Sequence, residues 1–347
     1  MLERSSHPDR AATQPSALPF PNLMALLIPE EELVVSAPEA RVVEGDGGES
    51  PRLEFEFKIR QADRELAIGF SFWNIEPVLP VLGAEAAVAL TLLPAMRLGS
   101  PLRIEGEVDR QMLAGIERMQ EIFHTWYPEF THIPVEAGVV DRSGSDDDQR
   151  DVAVFFTGGL DSTYTLRKNK EEITQGVYVH GFDIPLDDTA CRERVSQVLG
   201  EAAEAHGVRL IEGESNIREL SDMTEIHWGY HYHGSCLAAV AMLLSGSLRK
   251  MFIASSGCYD RLVPWGSTYT LDPLWNTAHM ELDHDGSEYD RLGKVRALAN
   301  DDLALRYMRV CYQNPEQGTN CGRCEKCLRT MVALRLCGAL ERCEVFN

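Results

Sequence analysis

Basic side chains are scarce in this sequence: 33 Lys and Arg stand against 54 Asp and Glu among 347 residues, a net charge of −21. A surface of that sign repels polyanions unless a local basic patch overrides it, so extensive nucleic-acid binding is disfavoured. Long apolar runs are missing too. The longest, around Ala84 to Met96, is shorter than a bilayer span and contains Glu85 and Pro94, so no membrane partner is expected. The first residues, MLERSSHPDRAATQPSALPFP, hold no apolar stretch of the secretory kind, and their acidic residues and prolines suit a transit peptide poorly. Residues 1–22 read as a disordered tail, and the chain as a soluble cytoplasmic protein. Nine cysteines form no regular secreted framework, so disulfides are not expected. Neither GxxxxGK[ST], which sets a lysine on the β and γ phosphates, nor the GxGxxG dinucleotide fingerprint occurs.

What is present falls into two halves, and two domains is the expectation for this length. Leu53, Phe55, Phe57 and Ile59 alternate with Glu54, Glu56 and Lys58. After a polar turn at Gln61 to Arg64, Ile68, Phe70 and Phe72 resume the period of two, which predicts a half-buried hairpin. Met112, Ile116, Met119 and Phe123 recur at helical spacing before Pro128. Residues 23–142 thus read as a small α+β accessory domain without a catalytic motif, a scaffold or gating module. Residues 143–150, opening SGSDDDQ, have no apolar member and concentrate like charge, as an exposed linker does. From 151 to 340 the signals alternate: a strand at Asp151 to Phe156, a helix from Ser162, and a strand at Gly176 to Phe182. A helix at Thr189 to His206, a strand at Val208 to Glu212, a helix at Gly234 to Ser247 and a strand at Met251 to Ala254 follow. Such alternation predicts crossover units and a mostly parallel, Rossmann-like α/β sheet covered on both faces.

The residues DVAVFFTGGLDSTYTL join a strand to a helix through Thr157, Gly158 and Gly159. Two glycines let backbone amides approach an anion, and the helix start adds unpaired N–H groups and partial positive charge. Thr157 and Ser162 add hydroxyl donors, and Asp161 either organises the loop or binds a magnesium ion that screens phosphates. On its glycines alone, an ordinary strand-to-helix turn would explain the segment equally well. TGGLDS after a strand resembles the SGGxDS loop of the ATP pyrophosphatase (PP-loop) superfamily, whose adenine nucleotide alpha hydrolase-like members cleave ATP between its α and β phosphates. Thr157 stands where that loop has Ser and keeps the hydroxyl. The resemblance makes Thr157, Gly158, Gly159, Asp161 and Ser162 the ATP-holding loop. It gives His180, Gly181 and Phe182, with Asp183, backbone contacts to adenine at the sheet edge, and it places the small residues Ser255, Ser256 and Gly257 where a ligand approaches closely. In RLGKVRALA, Lys294 resembles the late lysine that meets departing pyrophosphate, although a lone lysine is more often a solvated charge.

Cys311 is followed by CGRCEKC, with two residues between Cys321 and Cys324 and two between Cys324 and Cys327. Four thiolates close a tetrahedral zinc site, and with no open position left its role is structural, tying down the C-terminal segment. A PP-loop, a late lysine and then Cys, CGxCxxC and Arg329 together resemble the 7-cyano-7-deazaguanine synthase (QueC) family over residues 151–340. The first 150 residues and the stretch His227 to Asp290 find no counterpart in that resemblance, which points to a relative with a changed substrate, in a biosynthetic or an antiviral-defence setting.

In HWGYHYHG, the spacing of His227, His231 and His233 does not put all three on one helix face, so a polar pocket rim is expected over a second metal site. His279, Glu281, Asp283, His284 and Asp285 read either as a charged surface loop or as ligands for substrate or magnesium. Trp228, Trp265 and Trp275 would stack on a planar ring or simply pack. Three functions follow. The first is adenylation: a substrate carboxylate attacks the α-phosphorus of ATP with magnesium bound, pyrophosphate leaves toward Lys294, and ammonia or an amine displaces AMP to give an amide, or a nitrile as the resemblance implies. The second is RNA sulfur transfer, which would need a nucleophilic Cys191, Cys236 or Cys258 beside the loop. The third is nucleotide binding within a multi-protein system, with the first domain docking a partner.

Overall fold

The computed structural model describes residues 28–44, 51–144, 148–313 and 320–346. The tail expected at 1–22 and part of the expected linker, 145–147, lie outside them. The first half runs β1 (Leu33–Ser36), β2 (Glu39–Val43), β3 (Arg52–Gln61), β4 (Arg64–Trp73), α1 (Gly83–Leu98), β5 (Leu102–Asp109), α2 (Arg110–Trp126) and β6 (Val135–Val140). β3 and β4 form the expected hairpin because their alternate residues, from Leu53 to Ile59 and from Leu66 to Phe72, all face one core. α2 buries Met112, Ile116, Met119 and Phe123 as their spacing predicts.

The second half runs β7 (Asp151–Phe155), α3 (Leu160–Lys168), β8 (Gln175–His180), α4 (Thr189–His206), β9 (Arg209–Ser215) and α5 (Arg218–Met223). A π-helical turn at Trp228–Tyr232 follows, then α6 (His233–Leu243), β10 (Leu248–Ala254), β11 (Glu281–Asp285), α7 (Arg291–Leu298), α8 (Asp302–Tyr307) and α9 (Glu325–Leu336). β7 to β11 pair in parallel, as alternating signals require. α4 starts where the Asp188 side chain accepts from the Cys191 N–H and stops at Gly207, whose φ is 75°. The segment read either as a charged surface loop or as ligands contains strand β11, with Leu282 and His284 buried and Glu281 and Asp283 toward solvent. A period of two lies hidden there among charged residues.

All eleven strands of the described residues form one sheet, in the order β11-β10-β7-β8-β9-β4-β3-β1-β5-β6, with β2 also paired to β3. β4 lies antiparallel to β9, with Phe70 opposite Ser215 and Trp73 opposite Glu212. The segments on either side of 143–150, expected as two domains, are therefore continuous in sheet and core: Phe55, Leu90, Phe155 and Ile253 belong to one buried cluster. The reason is edge chemistry, since β4 and β9 would each leave an unpaired row of N–H and C=O groups if the halves stood apart.

The apolar run Ala84 to Met96 is the centre of this seam, buried on every side within α1 and packed on α6. Pro94 has no N–H to give the Leu90 carbonyl. The hydroxyl of fully buried Tyr232 donates to that carbonyl instead. Glu85, also fully buried, accepts from the Asp109 N–H at 2.9 Å and from Arg142 Nε at 3.2 Å; burial pushes its carboxyl above the usual range, against the pull of these donors. Among the described residues no helix is long and apolar enough to cross a membrane.

Candidate functional site

TGGLDS lies between the end of β7 and the start of α3, at the carboxyl edge of the parallel strands, where open α/β sheets bind ligands. Gly158 has a φ of 67°, a conformation side chains resist, and a Cβ there would come within 3.0 Å of Leu199. The hydroxyls lock the turn from within. Thr157 Oγ1 lies 3.3 Å from Ser162 Oγ and accepts from the Gly159 N–H at 3.3 Å, while Ser162 Oγ donates to the Gly159 carbonyl at 3.2 Å. From outside, the Arg309 N–H donates to the Gly158 carbonyl at 2.7 Å. The first turn of α3 leaves N–H groups without helical partners, at the positive end of its dipole, so the loop has the build of an anion site.

Lys294 reaches this loop from α7, across 133 residues of sequence. Only 1% of it is exposed, so the solvated-charge alternative is excluded. Its Nζ donates to Asp161 Oδ1 at 2.9 Å and to the Ser255 carbonyl. Arg291, one turn earlier on α7, sets a guanidinium nitrogen 3.6 Å from Asp161 and donates to Thr330 Oγ1 at 3.0 Å. With two cations on its carboxylate, Asp161 organises the loop, and a magnesium ion would have to displace them. Arg329 stands exposed and pairs with Glu325 at 3.0 Å; the guanidinium that meets the loop's Asp161 is that of Arg291. Its signal in the sequence is the three-residue spacing ahead of Lys294, which puts both on one side of a helix.

Beside α7 opens a cavity of about 670 Å³ lined by Cys258, Tyr259, Glu288, Tyr289 and Arg296, among others. Ser287, also on its wall, donates to Ser255 Oγ at 2.9 Å, and Glu288 accepts from Tyr164 of α3 at 2.7 Å. The cavity therefore shares its walls with the groups that hold the loop and Lys294.

The four cysteines converge as their spacing predicts. Their sulfurs all lie within 4.8 Å of one another, with Cys311 to Cys324 at 3.8 Å and Cys321 to Cys327 at 3.9 Å. Tetrahedral zinc, with Zn–S bonds of about 2.3 Å, needs sulfurs about 3.8 Å apart, so the set fits the ion. Burial would raise the Cys321 thiol, yet the N–H groups of Arg323 and Cys324 and the neighbouring thiols outweigh it and hold it at about 6. Asn320 fastens the first ligand: its Oδ1 accepts from Val310 and Cys311 N–H at 2.8 and 3.1 Å, and its Nδ2 donates to the Met308 carbonyl at 2.8 Å. Nothing in the cysteine spacing announces that role.

Other expected residues make contacts within the fold. His180 is buried, with Nε2 between Ser196 Oγ at 3.1 Å and a Glu212 carboxylate oxygen at 3.2 Å. Gly181 gives its N–H to the Ile184 carbonyl, and its φ of 91° and the Ser215 carbonyl, 2.0 Å from where a Cβ would sit, explain the glycine through packing. Phe182 packs edge-on against Trp228 and its carbonyl accepts from Arg218 at 3.0 Å. His227 caps the π-helical turn, accepting from the Tyr230 N–H; His231 packs on Tyr127 and Phe130; His233 sets Nδ1 against the Trp228 carbonyl at 3.2 Å. Among the described residues only the four cysteines gather three or more ligating side chains for one ion. Trp275 is core, and Trp265 packs on Tyr230 and His233. No known protein family, curated protein or solved structure matches the chain.

Proposed function

We propose that this chain adenylates a carboxylate with ATP, releasing pyrophosphate, and passes the acyl group to ammonia or an amine to make an amide. The observation that carries the reading is the buried Lys294 Nζ at the start of α3. An ammonium has three donors; Asp161 and the Ser255 carbonyl take two, and the third serves an oxyanion at the loop. Burying a cation is costly, and a site for departing phosphate charge gives that cost a use. The N–H groups at Gly158 and in the first turn of α3 would hold the phosphates through the transition state. Ser162 and Thr157 keep the loop in shape for them. The neighbouring cavity, with the rings of Tyr259 and Tyr289 on its wall, suits a planar acid such as a 7-deazaguanine carboxylate. Zinc on Cys311, Cys321, Cys324 and Cys327 would hold α9 to the body of the sheet without touching the reaction.

The chemistry of the thiols argues against sulfur transfer. Burial pushes Cys191 up and Cys236 well up, and a hydrogen bond with Asp260 does the same for Cys258, so all three favour the unreactive thiol. Formation of AMP and pyrophosphate from ATP and a 7-deazaguanine carboxylate tests the reading directly. Asp161→Ala and Lys294→Met should each lower that turnover at least about 100-fold, as loss of a transition-state charge partner does. Unchanged turnover in Asp161→Ala would sink the site assignment.

A further inference from the structure

The phosphate loop and the cysteine centre are distant in sequence and adjacent in space. Leu160, between Gly159 and Asp161, belongs to the same buried cluster as Cys311, Cys324 and Cys327. Two further links tie the loop to the segment that carries the thiols. The first is main chain. Arg309, two residues ahead of Cys311, gives its N–H to the Gly158 carbonyl at 2.7 Å. A Cβ at Gly158 would meet Arg309 Cβ at 3.5 Å and the Tyr307 carbonyl oxygen at 3.6 Å, so this segment lies directly on the turn. Asn320, next to Cys321, holds the same segment through Met308, Val310 and Cys311.

The second link runs through side chains. α9 starts on the thiols: Cys324 is its N-cap, with Sγ accepting from the Cys327 N–H. Thr330, one turn after Cys327 and fully buried, donates its hydroxyl proton to the Lys326 carbonyl at 2.7 Å. A hydroxyl has one proton, so toward any other group Oγ1 is an acceptor, and it takes Arg291 Nη1 at 3.0 Å. Arg291 in turn sets Nη2 3.6 Å from Asp161 Oδ2, with 19% of its side chain exposed. Burial pulls its guanidinium below the ordinary value, so its placement depends on these two partners.

We propose that the four-cysteine segment is the anchor of the phosphate loop, with Thr330 and Arg291 as positioning residues, so that metal loading sets nucleotide affinity; this rests on the reading of the loop as an ATP site. With the thiols gathered, Arg309 fixes the Gly158 carbonyl, and α9 presents Thr330 to Arg291, which steadies Asp161 beside Lys294. With the thiols apart, α9 loses its start and the segment through Arg309 loses its end point, so the loop gives up both supports together. Its amides then no longer converge on one anion, and the preorganisation that favours binding is gone. The metal touches no nucleotide in this arrangement, because all four of its ligands come from the protein.

The experiment measures equilibrium binding of magnesium α,β-methylene-ATP, which cannot be cleaved between its α and β phosphates, to the full-length protein, with zinc content read in parallel. Wild type, before and after a zinc-selective chelator, is compared with Thr330→Val and Thr330→Ser, which keep all four cysteines. Thr330→Val should hold one zinc per chain yet bind the analogue about 10-fold more weakly, the size of a lost hydrogen bond to a charged group. Thr330→Ser, which restores the hydroxyl, should bind within about 2-fold of wild type. Chelation should weaken wild-type binding by at least about 10-fold while circular dichroism shows the sheet intact, and added zinc should restore it. Should chelation unfold the chain, the Thr330 pair decides alone. Wild-type affinity in Thr330→Val, an equal loss in both Thr330 variants, or undiminished affinity in a folded, zinc-free chain overturns the anchor alone. A wild type that does not bind the analogue overturns the ATP reading, and the anchor with it.

Discussion

Along β2, β3 and β5 charged side chains stand in solvent and pair across strands: Arg41 with Glu54, Lys58 with Glu39, Arg60 with Glu105. At the carboxyl edge of the parallel strands the charged groups are buried, Lys294 on Asp161 and His284 on Asp272. Exposed pairs contribute little, since water screens them and long side chains lose freedom. Buried pairs are expensive unless the geometry is good, and for that reason they fix positions sharply. The two halves share one sheet, and the first buries a carboxylate too, Glu85 against Arg142, but the second also buries a lysine, Lys294. That difference sets the carboxyl edge apart independently of any motif.

The largest effect should come from the cysteine cluster. Cys327→Ser or chelation should remove bound zinc, measured as one ion per chain in the intact protein, and lower stability by at least about 3 kcal/mol, a modest share of what structural zinc contributes elsewhere. Loss of the metal with an unchanged melting temperature would break the structural role. At the seam, Tyr232→Phe leaves the Leu90 carbonyl unmet beside Pro94 and should cost about 1–3 kcal/mol in denaturant unfolding. A zero effect would show that the proline needs no donor.

Acid should act on the same seam. Burial among Tyr127 and Phe130 is the main cause that lowers His231 from 6.5 to about 4. The unfolded chain then binds the extra proton more readily, so stability is complete above pH 6.5 and is lost as the pH falls from there toward 4. Allowing for partial exposure, the loss is roughly 1–2 kcal/mol, and His231→Gln should flatten that part of the melting-temperature profile. The smallest effect belongs to the first half: Lys58→Ala should melt within error of wild type despite its close contact with Glu39. A clear drop there would erase the contrast between the halves.

Much of this arrangement is legible in sequence where the cause is local. The hairpin at β3 and β4, the extent of α4 and the β7-loop-α3 unit follow from periodicity, caps and glycines, because those reflect the sterics of neighbouring residues. β11 escapes such reading because four of its five residues are charged or His, and only the pairing with β10 shows which of them turn inward. The boundary at 143–150 looks like a linker by composition. Hydrogen bonding between β4 and β9 overrides it, and a polar segment says nothing of what pairs elsewhere.

What the sequence by itself determined is the set of parts: a turn that only glycine accommodates at 158, hydroxyls at 157 and 162 to lock it, and thiols spaced to meet one ion. Tertiary structure decided which distant residues serve those parts. The burial of Lys294 against Asp161, the approach of Arg291 to the same carboxylate, Asn320 behind Cys311 and Asp272 beneath His284 all depend on how helices and strands pack. The physical reason is that a side chain's burial and partners are sums over neighbours far along the chain, whereas turn geometry and ligand spacing are settled within a few residues.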